Sequence, residues 1–169
     1  DEYLDSPFSL PSGWLFSNYA SAFEMLRYND ANFLQMIFNS IWFTAGGTLI
    51  AGIVVCMTAY VVAKYDFKGK GFIYALSLVI MVVPVVGALP AQYRLYNQLH
   101  LTDSPLLLIT YASGFGFNFI VMYGFFKSLP WGYAEAAFID GATHFQVFWK
   151  IMLPQASACI FAISIVNAI

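Results

Sequence analysis

The chain has 169 residues, 60% of them hydrophobic and only 9% charged, with a formal net charge of −2. An average soluble domain carries about 25% charged residues, so this composition excludes a water-soluble globule, whose surface could not be coated with so few charges. The net charge itself decides little, because orientation in a membrane follows the placement of Lys and Arg.

The charges are clustered. None occurs from Ala31 to Ala63, from Gly71 to Tyr93, from Ser104 to Phe126, or from Ile151 to Ile169. A bilayer core of about 30 Å takes roughly 20 apolar residues of helix. Four spans are therefore expected, roughly Phe38–Ala63, Phe72–Leu89, Pro105–Phe126 and Gln155 onward. The runs lack period-two alternation, which disfavours a β-barrel. The fold expected is an all-α, polytopic transmembrane bundle.

Residues 1–37 read as an extracytoplasmic, interfacial segment ahead of a membrane domain at 38–169. Phe8, Trp14, Phe16, Tyr19 and Phe23 suit the headgroup level, and from Ser17 the pattern turns to a short amphipathic helix. Asn39 and Ser40 are read as the cap or start of span one. Gly46, Gly47, Thr48, Ala51 and Gly52 give that span a small face suited to close helix approach. Cys56 and Cys159 lie in apolar runs with no metal or disulfide spacing.

Lys64, Lys68 and Lys70 follow span one, and Lys127 and Lys150 flank a loop at 128–154. These five of the seven basic residues define the cytoplasmic side. The N-terminal segment then lies outside and the 128–154 loop inside. Gly69-Lys70-Gly71 is no phosphate loop, which needs G-x-x-x-x-G-K-[ST] after a strand.

Span two carries Pro84, read as a kink, and Pro90. Gln92 to His100 reads as its outer end. Asn118 is the strongly polar side chain near the middle of span three. It either ties two helices or lines a solute path. Pro84, Gln92 and Asn118 are the candidates for such a path.

The 128–154 loop is the polar, glycine-broken part of an otherwise lipid-suited chain. Pro130 suits the first turn of a helix. Tyr133 to Ile139 is helical, with Glu135 near its positive end. Asp140-Gly141 is a stop signal. Thr143 to Gln146 reads as a capping box for a second helix, running to about Met152, with Pro154 leading into span four. Ala134, Ala136, Ala137 and Ala142 keep the surface shallow. Phe138, Ile139, Phe145, Phe148 and Trp149 must bury against something. Glu135 and Asp140 are about 140° apart round a helix, poorly placed as an acid–base dyad. No Ser/His/Asp or metal set supports catalysis.

Glu135-Ala136-Ala137, Asp140-Gly141-Ala142, Ile151 and Leu153-Pro154 resemble the EAA loop of membrane subunits of binding-protein-dependent ABC importers (type I permeases). Asn39-Ser40, Ala59-Tyr60, Ala63-Lys64-Tyr65, Val83-Pro84 and Leu129-Pro130 extend the resemblance to the sugar-importer branch, in the manner of the maltose-transporter G-subunit. It covers residues 10–169, with a first span and the last one or two spans of such a subunit expected beyond the chain.

The resemblance implies that the loop is a coupling helix docked in a cytoplasmic ATPase dimer. Glu135 would be the polar contact. Ala136 and Ala137 would allow a close fit, beside Phe138 and Ala142. Gly141 would be the bend and Asp140 its support. Phe145, Phe148 and Pro154 would fix the second helix to span four, with Thr143 as further support of the loop. Trp131, Tyr133 and Phe138 occupy positions variable or often polar in the family, implying a more hydrophobic cleft.

The implied partners are a second permease subunit, the ATPase dimer, an extracytoplasmic solute-binding protein and membrane lipid, with no nucleic acid. ATP and Mg would be used by the ATPase, with no cofactor in this chain, which would not itself be an enzyme. The setting implied is a bacterial-type cytoplasmic membrane. The alternative, a secondary transporter or channel, would require ionisable residues within the spans, and the charge-free runs hold none.

Overall fold

The computed structural model describes residues 8, 16–28, 31–83, 87–102 and 104–168. Pro84 therefore lies outside the described residues, both as a kink and as a path candidate, and so do Trp14 and Asp103. The chain divides into two compact units, Asp1–Trp42 and Phe43–Ile169. The sequence expectation placed this boundary at 37/38.

In the first unit, helix α1 spans Ser17–Met25 and is exposed throughout. A two-residue hairpin follows, in which β1 (Arg27–Tyr28) pairs antiparallel with β2 (Ala31–Asn32). The sequence pattern gave no sign of it. Helix α2, Phe33–Lys64, starts here. Its start corrects the expectation for Asn39 and Ser40. The Asn32 side chain accepts from the Gln35 N–H at 3.0 Å, and the Gln35 side chain accepts from the Asn32 N–H at 2.9 Å. This reciprocal box satisfies two otherwise free donors, so the helix nucleates well before Asn39. The Phe23 ring meets Phe33 edge-on, with centroids 4.6 Å apart.

The second unit contains the rest of α2 and the remaining elements. At 32 residues α2 is about 48 Å long, more than a bilayer core requires. Among the described residues it is the one unbroken helix long and apolar enough to cross a membrane. Span two, expected to kink at Pro84, ends as a regular helix at Val82, and span four is helical from Ser157 to Ala168. Helix α3 covers Lys70–Val82, and α4, Ala88–Gln98, begins after Gly87 at φ 86°. Pro90 falls in the first turn of α4, where a missing N–H costs little.

Span three is interrupted. A 3-10 helix covers Pro105–Tyr111, then non-helical chain leads to α5, Phe117–Ser128. Gly116 adopts φ 91°, ψ −155°, a conformation open essentially to glycine alone. Gly114 and Gly116 are both buried. The intervening Ala112, Ser113 and Phe115 are exposed.

The small face of α2 receives this broken segment. A Cβ on Gly46 would stand 2.8 Å from a Leu108 methyl, and one on Gly47 would stand 3.4 Å from the Tyr111 ring. Gly52 has nothing near it, so the close approach is confined to the upper part of the stripe. Gly114 is the tightest point, since its Cβ would lie 2.7 Å from Thr58 Oγ1. That hydroxyl is fixed by donating to the Val54 carbonyl at 2.7 Å.

Gly114→Ala is therefore expected to destabilise the protein by about 1–3 kcal/mol through overpacking, read as a lowered thermal unfolding midpoint in detergent. Thr58→Ala in the same chain is expected to recover most of the loss. A Gly114→Ala protein as stable as its parent would show that α2 and this segment are not tightly apposed.

Candidate functional site

The 128–154 loop folds as two short helical arms around a sharp corner. Helix α6 runs Gly132–Ile139 and α7 runs His144–Val147. Pro130 stands just ahead of the α6 N-cap, Trp131, rather than in the first helical turn. The Trp131 carbonyl accepts from the Ala134 and Glu135 N–H groups. Glu135 is in the first turn, where the helix dipole favours its charge.

The corner follows the sequence closely. Gly141 takes φ 82°, the left-handed conformation that ends a helix. The Gly141 N–H bonds the Phe138 carbonyl at 3.0 Å, and the Ala142 N–H bonds that of Ala137 at 2.9 Å. Thr143 then caps α7 through a full capping box. Its hydroxyl accepts from the Gln146 N–H at 3.3 Å, and the Gln146 side chain accepts from the Thr143 N–H at 2.8 Å.

After α7 the helix widens into a π turn, Phe148–Met152, and closes as α8, Leu153–Gln155. Pro154 has no N–H to continue the ladder, and the Gln155 side chain donates to the Ile151 carbonyl at 3.1 Å. The run His144–Gln155 then bends by 77° into α9, Ser157–Ala168, at the fully buried Ala156. The second arm thus passes through Pro154, and the expected change of direction falls after Gln155.

The loop has an inner and an outer face. Ala134 (0% exposed) and Ala137 (8%) turn into the chain's own core with Val147, Phe148 and Met152. This divides the expected Ala136–Ala137 surface, because Ala137 makes its close fit within this chain. Phe148 is also an internal anchor. Its ring lies 5.0 Å from Tyr60 on α2, which ties the second arm to span one, and it also lines a pocket with Ile160 and Ser164 of span four. The outer face carries Tyr133, Glu135, Ala136, Ile139 and Asp140, and Ile139 is 86% exposed.

Phe138 and Ala142 are half-buried between these faces. Phe145 stands exposed beside Trp149 and lines a groove of about 340 Å³ with Met57, Tyr60, Val61, Tyr65 and His144. The loop also has polar attachments that sequence reading missed. The Lys64 ammonium donates to the Leu129 carbonyl, and the Tyr65 hydroxyl lies 2.8 Å from His144 Nδ1. No local pattern could have signalled contacts between residues so far apart in the chain.

Asn118, on α5, donates through Nδ2 to Asn167 Oδ1 on α9 at 2.7 Å. Of the two roles weighed for Asn118, the geometry displays the tie between helices. Asn118 Oδ1 and Asn167 Nδ2 are buried without a partner among the described residues. Asn167 also lines a cavity of about 220 Å³ with Thr44, Thr48 and Tyr111. It was legible in principle, being the one asparagine in its charge-free run, as Asn118 is in its own. Gln92 is exposed on α4.

The family model for "Binding-protein-dependent transport system inner membrane component" matches residues 51–169. The chain is 38% identical over 168 residues to the diacetylchitobiose uptake system permease protein NgcG of Streptomyces coelicolor, covering 98% of this chain and 54% of that protein. It is 32% identical over 153 residues to the galactooligosaccharides transport system permease protein GanQ of Bacillus subtilis, covering 86% and 51%. It is 29% identical over 150 residues to the trehalose transport system permease protein SugB of Mycobacterium tuberculosis, covering 88% and 53%. The chain spans about half the length of the curated relatives it matches. It belongs to the family of binding-protein-dependent transport system inner membrane components.

Proposed function

We propose that the chain is part of a permease subunit of an ATP-driven importer, carrying a sugar or oligosaccharide across the cytoplasmic membrane. The observation that carries this reading is the outer face of the 128–154 loop. Its inner residues are locked into the core, yet it presents Ile139 almost fully exposed beside Glu135 and Ala136. A bare apolar side chain on a firmly supported knob is what a socket on another protein would bury. The relatives named for diacetylchitobiose, galactooligosaccharides and trehalose support a sugar as the solute.

In this reading the partner at the loop is a cytoplasmic ATPase dimer, which binds ATP and Mg and does the hydrolysis. A second permease subunit completes the pore, and an extracytoplasmic binding protein delivers the solute. Closure of the ATPase dimer shifts the permease only as far as the two states differ in their contacts with the loop. Residues 128–154 lie in the cytoplasm and the N-terminal segment lies outside.

Among the path candidates Asn118 has the most specific chemistry. With Asn167 it leaves one buried acceptor and one buried donor. A sugar hydroxyl both donates and accepts, so it would satisfy the two together.

Two tests follow in the full-length protein, assembled with its ATPase and reconstituted. Ile139→Asp and Glu135→Lys are expected to leave membrane insertion unchanged and to lower ATPase capture and sugar uptake at least about tenfold, as loss of a docking anchor would. Uptake that persists without any ATPase and collapses with an ionophore would instead establish an ion-gradient transporter. Asn118→Ala is expected to raise the half-saturating sugar concentration about fivefold or more, the scale of an unmatched buried polar group. Unchanged uptake kinetics would limit Asn118 to tying α5 to α9.

A further inference from the structure

We infer that Lys64 and Tyr65, at the exit of α2, form a clasp that holds both arms of the 128–154 loop and carries its displacement into α2. The loop is covalently continuous with α5 on one side and with α8 and α9 on the other. Force on it would reach those helices through the chain itself. It reaches α2 only through side-chain contacts.

The Lys64 ammonium donates to the carbonyl of Leu129, the C-cap of α5. Carbonyls at a helix C-terminus lack intrahelical partners and carry the negative end of the helix dipole. Lys64 is also in the last turn of α2, so one cation serves two helix ends. A charged donor makes this bond stronger than a neutral one.

The next residue takes the other arm. The Tyr65 hydroxyl lies 2.8 Å from Nδ1 of His144, the first residue of α7. Four rings then close a circuit. Tyr65 meets Trp131 at 5.9 Å, Trp131 meets Phe138 at 6.0 Å, Phe138 meets His144 at 4.7 Å, and His144 returns to Tyr65 at 5.5 Å. The circuit takes one ring from the α2 exit, one from the α6 N-cap, one from within α6 and one from α7. The two arms cannot open about Gly141, or swing away from α2, without parting at least one of these contacts. Lys64 and Tyr65 are positioning residues, because they touch neither nucleotide nor solute.

This inference rests on the importer reading, and the test keeps the two separable. Lys64→Met, Lys64→Arg and Tyr65→Phe are made in the full-length subunit, assembled with its ATPase and binding protein in vesicles. Sugar transported per ATP hydrolysed is then measured. Lys64→Met and Tyr65→Phe are expected to retain assembly and ATP hydrolysis while transport per ATP falls about fivefold. Lys64→Arg, which keeps the charged donor, is expected to stay near the parent. A merely structural role would lower assembly, hydrolysis and transport together and leave their ratio unchanged. Should Lys64→Met fail to assemble, Tyr65→Phe decides alone, since it removes one hydroxyl and keeps the ring. A parental ratio in Tyr65→Phe overturns the clasp. Parental transport that needs no ATPase overturns the importer reading itself.

Discussion

The second unit is organised around one ring. Tyr60, 3% exposed on α2, packs against Phe126 at 5.5 Å and Phe148 at 5.0 Å. Those partners come from the last turns of α5 and from the π turn beyond α7. The helix that leads into the loop, the arm that leaves it, and the long membrane helix are thus gathered at a single side chain. Val55, Cys56 and Ala59 on α2, with Phe119 and Met122 on α5 and Met152 in the π turn, extend the contact. A closely packed interior transmits strain because its parts have few alternative arrangements. The outer face of the loop can be presented rigidly only because its inner face is built into this cluster.

How much of this was legible in the sequence depended on range. The Thr143–Gln146 box and the Gly141 stop are local hydrogen-bond and steric arguments, and both have the geometry that the residues dictate. The start of α2 was misplaced because the sequence reading considered only Asn39 and Ser40 as its cap. Asn32 won through its reciprocal partner Gln35, three residues on, a pairing that Asn39 lacks. Counting apolar residues located membrane-suited segments but could not see the interruption before α5, because Gly114-Phe115-Gly116 is as hydrophobic as its neighbours. The two faces of the loop were hidden for a different reason. Ala136 and Ala137 are chemically identical, and only the packing of Ala137 against the core separates them.

Polar groups within apolar runs show the same division. Asn118 stood out as a buried amide in need of a partner, and it has one in Asn167. Which of its two amide atoms that partner would satisfy is a property of the assembled helices. Near Lys64 the logic is that of a helix end, where carbonyls without intrahelical partners attract a cation. Nearby, exposed Asp66 pairs with Lys70 at the start of α3. The pairing holds the carboxyl below its ordinary range and the ammonium above it. Such an exposed pair contributes little to stability. It does offset a cation that would otherwise oppose the positive end of the α3 dipole.

The angle at Ala156 governs what a moving loop can deliver. Two rods joined at 77° share almost no common direction. A thrust along the axis of the first therefore arrives at the second nearly all as sideways motion, with little travel along its length. Ala156 has no exposed surface, so the elbow is wedged by its neighbours and cannot straighten freely. Movement of the His144–Gln155 arm along its own axis would accordingly lean α9 over rather than slide it along its length. Leaning rearranges the side chains that a helix presents to its neighbours while keeping the helix at its depth.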